Sequence, residues 1–248
     1  MTEALFLNDI VEALADDAQT LALIHNGELT AGVFAELRAI GFPDNLALLP
    51  SGERSREAWR VMADALAGPP AGLDAAELDR LAADFAAIYL TAAYGASPYE
   101  SAWTDEDHLV CQESMFQLRD IYQAAGLAAA DWRRRADDHL VLQLAFIAHA
   151  TRQAATADDW RLLAKVMDEH LLRWLADFCA AVVKRCDTQF YAGLAMVTTA
   201  WCDGFRDLLA THLGEPRPSR EEIEARLKPA RAVQAEPIHF VPALGPTV

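Results

Sequence analysis

Apolar residues recur at three- and four-residue spacing along most of the chain, and this periodicity restricts it to a helical fold. In residues 74–92, for example, Leu78, Leu81, Phe85 and Ile88 fall on one helix face. No alternating run of apolar and polar residues is bounded by hairpin turns, so strands are not expected. The sequence therefore predicts an all-α fold, a single-domain helical bundle.

Start and stop signals divide this pattern into separate helices. Asp74 and Glu77 form a variant of the capping box, and Gly126 is placed where a glycine ends a helix. The stretch 67–74 contains two prolines and two glycines and is predicted to be a linker. The predicted helices cover residues 8–24, 30–40, 53–66, 74–92, 107–125, 138–154, 157–184 and 188–213.

The character of the chain changes after residue 213, so we expect one helical domain over residues 1–213 and a separate C-terminal region over 214–248. In that region a charged helix capped by Ser219 is predicted. Residues 229–248 contain four prolines and no helical period. They are predicted to form either a disordered tail or an extended arm laid over the bundle.

The charge and the apolar patterning exclude several classes of protein. The formal net charge is −16, and the first 37 residues contain no Lys or Arg. Such a surface repels phosphate backbones, so no nucleic acid is expected as a partner, and a basic partner or a solvated acidic face remains. No apolar segment is long enough to span a membrane, and the N-terminus lacks a secretory signal. The cysteine spacing indicates reduced, buried thiols, so a cytoplasmic location is expected.

The residues that usually carry chemistry do not form a recognisable site. His139 and His149 are ten residues apart and face different directions on a helix, and the other histidines lack metal-ligand spacing. Ser101 has no nucleophile elbow around it, and no phosphate-binding glycine loop is found. The sequence therefore predicts no metal site, no cofactor and no catalytic residue, and the chain is not expected to be an enzyme.

Two short segments remain unexplained. In "SPYESAW", residues 97–103, the fixed ring of Pro98 presents Tyr99 and Trp103 at defined angles. In "DDHLVLQLAF", residues 137–146, an Asp-His pair opens an almost wholly apolar helix. Helix capping by Asp137 or Asp138 could account for the second segment alone.

Taken together, these segments resemble the TorD/DmsD family of maturation chaperones for molybdenum-cofactor oxidoreductases. The resemblance covers about residues 74–213, and its motifs are Phe85-x-x-Ile88-Tyr89, Ser97-Pro98-Tyr99-Glu100-Ser101, and Asp138-His139 before an apolar helix. Asp137 and Gln143 depart from the family pattern, which has Pro and often an acidic residue at those positions. The related nitrate-reductase chaperones share the fold and rank second.

The resemblance implies a helical bundle of the TorD/DmsD type that binds a twin-arginine leader peptide. The client implied is a molybdopterin oxidoreductase, whose body some relatives also bind, and export waits until its cofactor is inserted. Phe85, Ile88 and Tyr89 would form an apolar groove, with Tyr99 and Trp103 as its walls. Glu100 and Asp138 would pair with the arginines. The peptide-binding residues expected in all are Phe85, Ile88, Tyr89, Pro98, Tyr99, Glu100, Ser101, Trp103, Asp138 and His139.

Alternatives stay open at this point. An all-helical protein, or a small enzyme, could instead bind a small ligand inside the bundle. Weak guanine nucleotide binding has been suggested for some relatives of the family. A monomer is expected as the main form, and a domain-swapped dimer would use a hinge at residues 67–74 or 127–137.

Overall fold

Helices make up nearly all of the regular structure in the computed structural model, which describes residues 2–68, 72–131 and 133–227, with only the backbone described for residues 2–7. Within these residues the only β-type pairing is the isolated bridge between Tyr99 and His139. The predicted all-α fold is therefore confirmed. The helices are α1 (Thr2–Asn26), α2 (Ala31–Ala39), α3 (Glu53–Ala67), α4 (Ala75–Phe85), α5 (Ser101–Thr104), α6 (Glu113–Ala124), α7 (Leu140–Gln153), α8 (Ala157–Val166), α9 (Leu172–Arg185), α10 (Gln189–Leu213) and α11 (Arg220–Leu227).

Two of the predicted helices continue through π-turns, in which the backbone hydrogen bonds are wider than in an α-helix. The π-turn Ala86–Leu90 prolongs α4, and the π-turn Met167–Leu171 joins α8 to α9. The segments are helical close to the predicted extents of 74–92 and 157–184. Each π-turn inserts an extra residue, so the side chains that follow it are rotated about the helix axis.

The core lies where α10 packs against α3 and α9, while α1 packs along α7. Trp174, Trp201 and Tyr191 are among its fully buried side chains. The helices α3 and α10 approach very closely at Gly193, where a Cβ atom would be 2.9 Å from the Cα atom of Met62. Only a glycine fits this crossing without displacing a helix.

The helix ends that carry local sequence signals are where they were predicted. Both hydrogen bonds of the capping box between Asp74 and Glu77 are present. Gly126 and Gly214 follow α6 and α10 with φ angles of +73° and +67°, a left-handed conformation that glycine adopts at little cost. Ser219 caps α11, since its Oγ accepts the amide of Glu222.

The start of α6 was predicted wrongly. This helix begins at Glu113 instead of residue 107. The Asp105 carboxylate accepts the backbone amides of residues 107 and 109, and this alternative to helical hydrogen bonding keeps the segment in a loop. Val110, an apolar residue within the predicted helix, is consequently 48% exposed.

The apolar helix α7 also begins differently from the prediction. Neither Asp137 nor Asp138 caps it. The cap is His139, whose Nδ1 accepts the amide of Val141 at 3.1 Å. The two aspartates are buried instead and contact other parts of the chain.

The prediction that the cysteines are buried is wrong for at least one of them. None of the four cysteines, all of which lie in the described residues, forms a disulfide. Cys202 is buried, but Cys111 is exposed, in the loop that was predicted to be helical. The thiols are therefore not uniformly structural.

The chain divides into two compact units, Met1–Arg217 and Pro218–Val248. The first contains α1 to α10, and the second contains α11. Residues 228–248 lie outside the described part of the chain, so the proline-rich tail, like the domain boundary at residue 213, stays a prediction. Among the described helices, none is long and apolar enough to cross a membrane.

Candidate functional site

The two segments that the sequence singled out are joined directly by hydrogen bonds. The amide of Glu100 donates to the carbonyl of Asp138 at 3.2 Å, and the amide of Leu140 donates to the carbonyl of Pro98 at 2.8 Å. These bonds form the antiparallel bridge that sets Tyr99 beside His139. The two rings meet edge to face, with centroids 4.8 Å apart.

Asp138 holds the start of the short helix α5. Its Oδ2 accepts hydrogen bonds from both the amide and the hydroxyl of Ser101, the first at 2.9 Å. Ser101 Oγ lies in turn 3.1 Å from Ser114 Oγ on α6. Burial raises the pKa of Asp138 above its ordinary value, and the hydrogen bonds from Ser101 act in the opposite direction.

Glu100 is the centre of a buried polar cluster that ties the loop to three helical elements. Its Oε1 is 3.0 Å from Nδ1 of His170, in the second π-turn. Its Oε2 accepts a hydrogen bond of 3.1 Å from the side-chain amide of Gln143 on α7. Arg173, on α9, lies 3.9 Å from the same carboxylate. The cluster fixes the position of the loop from several sides.

The contacts of Gln143 and Asp137 account for both departures from the family pattern. An acidic residue at 143 would place a second carboxylate beside Glu100, whereas the amide of Gln143 donates to it. Asp137 forms an ion pair with Arg119 of α6, with an Nη2–Oδ2 distance of 2.8 Å. These two residues replace the usual family side chains with compatible local contacts.

The expectation that Glu100 and Asp138 pair with arginines of a peptide does not agree with their surroundings. Both residues are 0% exposed, and each carboxylate accepts hydrogen bonds from within the chain. A carboxylate in such a position cannot reach a guanidinium at the surface. Their hydrogen bonds hold the loop against the start of α7.

A cavity of about 550 Å³ opens beside the bridge between the two segments, and we call it the aromatic cavity. Tyr99 and His139 line it from the bridge, and Phe85 and Tyr89 line it from α4 and its π-turn. The rings of Phe85 and Tyr89 lie 4.9 Å apart. The structure thus brings four of the predicted peptide-binding residues into one surface.

His25, at the end of α1, lies in the same cavity and was missed by the sequence analysis. Its Nδ1 is 2.5 Å from the hydroxyl of Tyr89, and its Nε2 is 2.8 Å from the hydroxyl of Thr198 on α10. Burial lowers its pKa to about 3. A single histidine on a helix carries no signal of its own, because its partners come from distant parts of the chain.

The imidazoles of the aromatic cavity are uncharged at neutral pH. Burial, with a smaller effect of Arg135, lowers the pKa of His139 to about 3 as well. Charge at this cavity therefore comes from Arg134, Arg135 and Asp131, which line its edge. The carboxylates expected to pair with arginines, Glu100 and Asp138, do not line this cavity. The arginine run at residues 133–135 was the sequence signal that could have predicted the arginines at its edge.

The remaining predicted residues lie away from the cavity lining. Ile88 is 0% exposed and belongs to the core. Pro98 is buried, and its carbonyl belongs to the bridge. The indole of Trp103 donates to the carbonyl of Ser97 at 2.8 Å and braces the loop from within. Ser101 is fully buried beneath Asp138. Within the described residues, no group of His, Cys, Asp and Glu side chains is arranged to hold a metal ion.

Comparison with known proteins gives consistent results. The family model described as "Nitrate reductase delta subunit" matches residues 51–180, which include both segments of the bridge. "Chaperone protein TorD" of Shewanella piezotolerans is 30% identical over 129 residues, or 49% of this chain and 58% of that protein. "Chaperone protein TorD" of Vibrio cholerae is 32% identical over 120 residues, or 45% and 52%. "Probable Tat proofreading chaperone DmsD" of Haemophilus influenzae is 28% identical over 101 residues, or 41% and 47%. The chain spans about half the length of the curated relatives it matches.

Proposed function

Because the chain belongs to the nitrate reductase delta subunit family, we propose that it is a maturation chaperone for a molybdopterin-containing oxidoreductase. The predicted resemblance to the TorD/DmsD family is confirmed by the relatives that carry those names. In this proposal the chain binds the twin-arginine signal peptide and the body of its client. It acts in the cytoplasm, before export, and assists insertion of the cofactor. It catalyses no reaction itself, and the relatives are likewise named as chaperones.

The aromatic cavity is the observation that carries this proposal. Phe85, Tyr89 and Tyr99 offer ring surface to an apolar segment of a signal peptide. Burying one large apolar side chain contributes about 1.5–3 kcal/mol. Two such side chains in a cavity of about 550 Å³ would dominate the binding free energy, because exposed ion pairs contribute less than about 1 kcal/mol each.

The buried carboxylates stabilise the loop that forms one wall of this site. Glu100 and Asp138 hold the loop that carries Tyr99 against the start of α7. In the proposed function they position the aromatic wall and do not contact the peptide. This assignment replaces the direct pairing with arginines expected from the sequence.

A synthetic peptide with two consecutive arginines followed by the apolar segment of a leader tests the proposed function. We expect saturable calorimetric binding at one peptide per chain. A scrambled peptide of the same composition and charge is the control, and we expect it to bind at least about tenfold more weakly. Equal binding of both peptides, or binding of neither, would contradict the proposal.

A second candidate function is favoured by the size of the aromatic cavity. Its volume of about 550 Å³ falls within the range of roughly 300–1,000 Å³ typical of small-molecule sites. An all-helical ligand-binding protein would show a thermal shift with a small cofactor or with guanine nucleotide and none with the leader peptide. Guanine nucleotide affinity and a domain-swapped dimer beside the monomer stay predictions from the resemblance.

The description of the matching family favours a nitrate-reductase-type assembly chaperone as a further variant of the proposal. The client would then be a nitrate reductase subunit. Co-purification of the chain with the oxidoreductase encoded beside it would identify the client. Recovery of a nitrate reductase subunit, in place of another molybdopterin oxidoreductase, would decide for this variant.

A further inference from the structure

The aromatic cavity is suited to the apolar part of a leader peptide and not to its arginines. Two arginines, Arg134 and Arg135, line its edge together with one carboxylate, Asp131. Asp131 is already 3.7 Å from Arg134. Glu100 and Asp138 are fully buried. The arginine pair of a bound peptide would therefore meet like charge there, which opposes binding.

A second cavity, of about 320 Å³, has the opposite charge, and we call it the carboxylate cavity. Its apolar surface comes from residues that include Leu81 and Phe190. Among the described residues that line it are three carboxylates, Asp64, Glu77 and Asp187, against one guanidinium, that of Arg80. These side chains come from α3, α4 and the connection between α9 and α10.

The carboxylate of Asp187 is not required for capping at its own position. The backbone amides of the connection before α10 are satisfied by the buried Asp84, which accepts hydrogen bonds from Asp187 N at 3.0 Å and from Thr188 N at 2.7 Å. Asp187 itself is exposed, as is Asp64 on α3. Both exposed carboxylates therefore line a cavity that also has apolar surface. A guanidinium could pair with them while its methylene stem lies on that apolar surface.

The two cavities are neighbours along the same elements. Leu81 lines the carboxylate cavity and Phe85 lines the aromatic cavity; four residues of an α-helix separate them, a rise of roughly 6 Å. Tyr191 connects the two surfaces, since its hydroxyl accepts the amide of Leu29 at the carboxylate cavity and its ring lies 6.3 Å from that of Phe85. An extended peptide covers about 3.3 Å per residue, so about two residues match the helical rise between these two lining residues.

We infer that the carboxylate cavity is the subsite for the arginine pair of a twin-arginine peptide whose apolar segment occupies the aromatic cavity. This inference rests on the proposed function and adds to it the place and the chemistry of charge recognition. Asp64 and Asp187 are the specificity-determining residues, because both are exposed and neither is needed as a helix cap.

The test is a thermodynamic cycle between the protein and the peptide. The test protein is the double variant Asp64→Asn with Asp187→Asn. The control is Asp79→Asn on the exposed side of α4, which also replaces one carboxylate by one amide. The peptides are the leader with two arginines and the same leader with two glutamines, titrated calorimetrically at low and high salt. The double variant should bind the arginine peptide about three- to tenfold more weakly at low salt, less so at high salt. It should bind the glutamine peptide like the parent.

The other outcomes separate this inference from the proposed function. If the double variant binds both peptides as the parent does, the arginine subsite is wrong, while a loss of affinity on Tyr99→Ala would leave the proposed function standing. A loss of binding free energy from Asp79→Asn that equals the loss of the double variant per charge removed would show that only the net charge matters, and this also overturns the subsite. If the parent protein binds neither peptide, the proposed function itself fails.

Discussion

Peptide binding should depend more on Tyr99 than on any other residue. Its ring is half-buried in the wall of the aromatic cavity and lies edge to face on His139. We expect Tyr99→Ala to weaken binding of the leader peptide about tenfold or more, since the lost ring contact is worth at least about 1.4 kcal/mol. Tyr99→Phe keeps the ring and should bind within about threefold of the parent. Calorimetric titration of both variants checks this, and unchanged affinity in Tyr99→Ala would mean that the apolar segment docks elsewhere.

Glu100 should affect stability more than affinity. Glu100→Gln keeps the shape of the side chain but removes the charge that faces His170 and accepts from Gln143. Losing a charge-assisted hydrogen bond in a buried cluster costs about 1–3 kcal/mol of unfolding free energy. Because the group is fully buried, this loss should be nearly independent of salt.

Chemical denaturation at two salt concentrations measures the effect of Glu100→Gln, with Glu106→Gln as the matched control in the same region. Glu106 is exposed, so its variant should unfold like the parent. A large loss of peptide affinity in Glu100→Gln without a loss of stability would restore the direct peptide contact first expected from the sequence.

His25 gives the protein a pH dependence of known sign. Burial lowers its pKa to about 3 in the folded chain, from an ordinary value of 6.5. The unfolded chain therefore takes up a proton that the folded chain does not, between about pH 6.5 and pH 3. Stability from this group is complete above about pH 6.5 and falls by about 1.4 kcal/mol for each pH unit below it.

Between pH 7 and pH 5, His25→Gln should accordingly lose less unfolding free energy than the parent, by roughly 2 kcal/mol. The measurement is urea denaturation at the two pH values. The quantity compared is the change in unfolding free energy between pH 7 and pH 5 in each protein, not the absolute stability. His139, whose pKa is also lowered to about 3, continues to titrate in both proteins. Identical pH slopes for variant and parent would contradict the assignment to His25.

At the scale of the helices, the contact of α3 with α10 depends on Gly193. A Cβ atom there would be 2.9 Å from the Met62 backbone, and backbone cannot move aside as a flexible side chain can. We expect Gly193→Ala to destabilise the fold by about 1–3 kcal/mol, as overpacking does in other cores. Gly32→Ala in α2 is the control, because its nearest neighbour is at 3.7 Å. A lower melting temperature in the control than in Gly193→Ala would show that crowding at this crossing is not important.

Local signals determined which parts of the fold could be predicted. The capping box at Asp74, the glycines after α6 and α10, and the cap at Ser219 each involve residues within a few positions of one another. The predicted start of a helix at residue 107 was wrong, because the Asp105 carboxylate accepts a backbone amide of that first turn. Competition between side chain and helix of this kind cannot be read from apolar spacing alone.

The sequence predicted those residues of the candidate site that belong to the family motifs. The motifs led to Tyr99 and His139, and the two are in contact. The burial of Glu100 depends on His170 and Gln143, which lie on other helical elements, and nothing near Glu100 in the sequence shows that these will surround it. The opposite charges of the two cavities depend in the same way on residues from several helices.

For the molecule as a whole, the formal net charge of −16 opposes association between copies at low salt. We expect a monomer in light scattering at low ionic strength over a tenfold range of concentration. A dimer population that increases with salt would agree with the same electrostatic argument. An obligate dimer or higher oligomer at every concentration and ionic strength would contradict the prediction.

The hydrogen bond between His25 and Thr198 connects positions 173 residues apart, and this separation bears on the order in which the ribosome delivers the chain. His25, Phe85 and Tyr99 are all synthesised before α10 exists. Until Thr198 has left the exit tunnel, the imidazole beneath Tyr89 lacks one of its two partners, so the aromatic cavity cannot take its final form. In the proposed function, a chain that has not yet been synthesised as far as α10 would therefore offer no finished site to a client, and binding would begin only once α10 has been made.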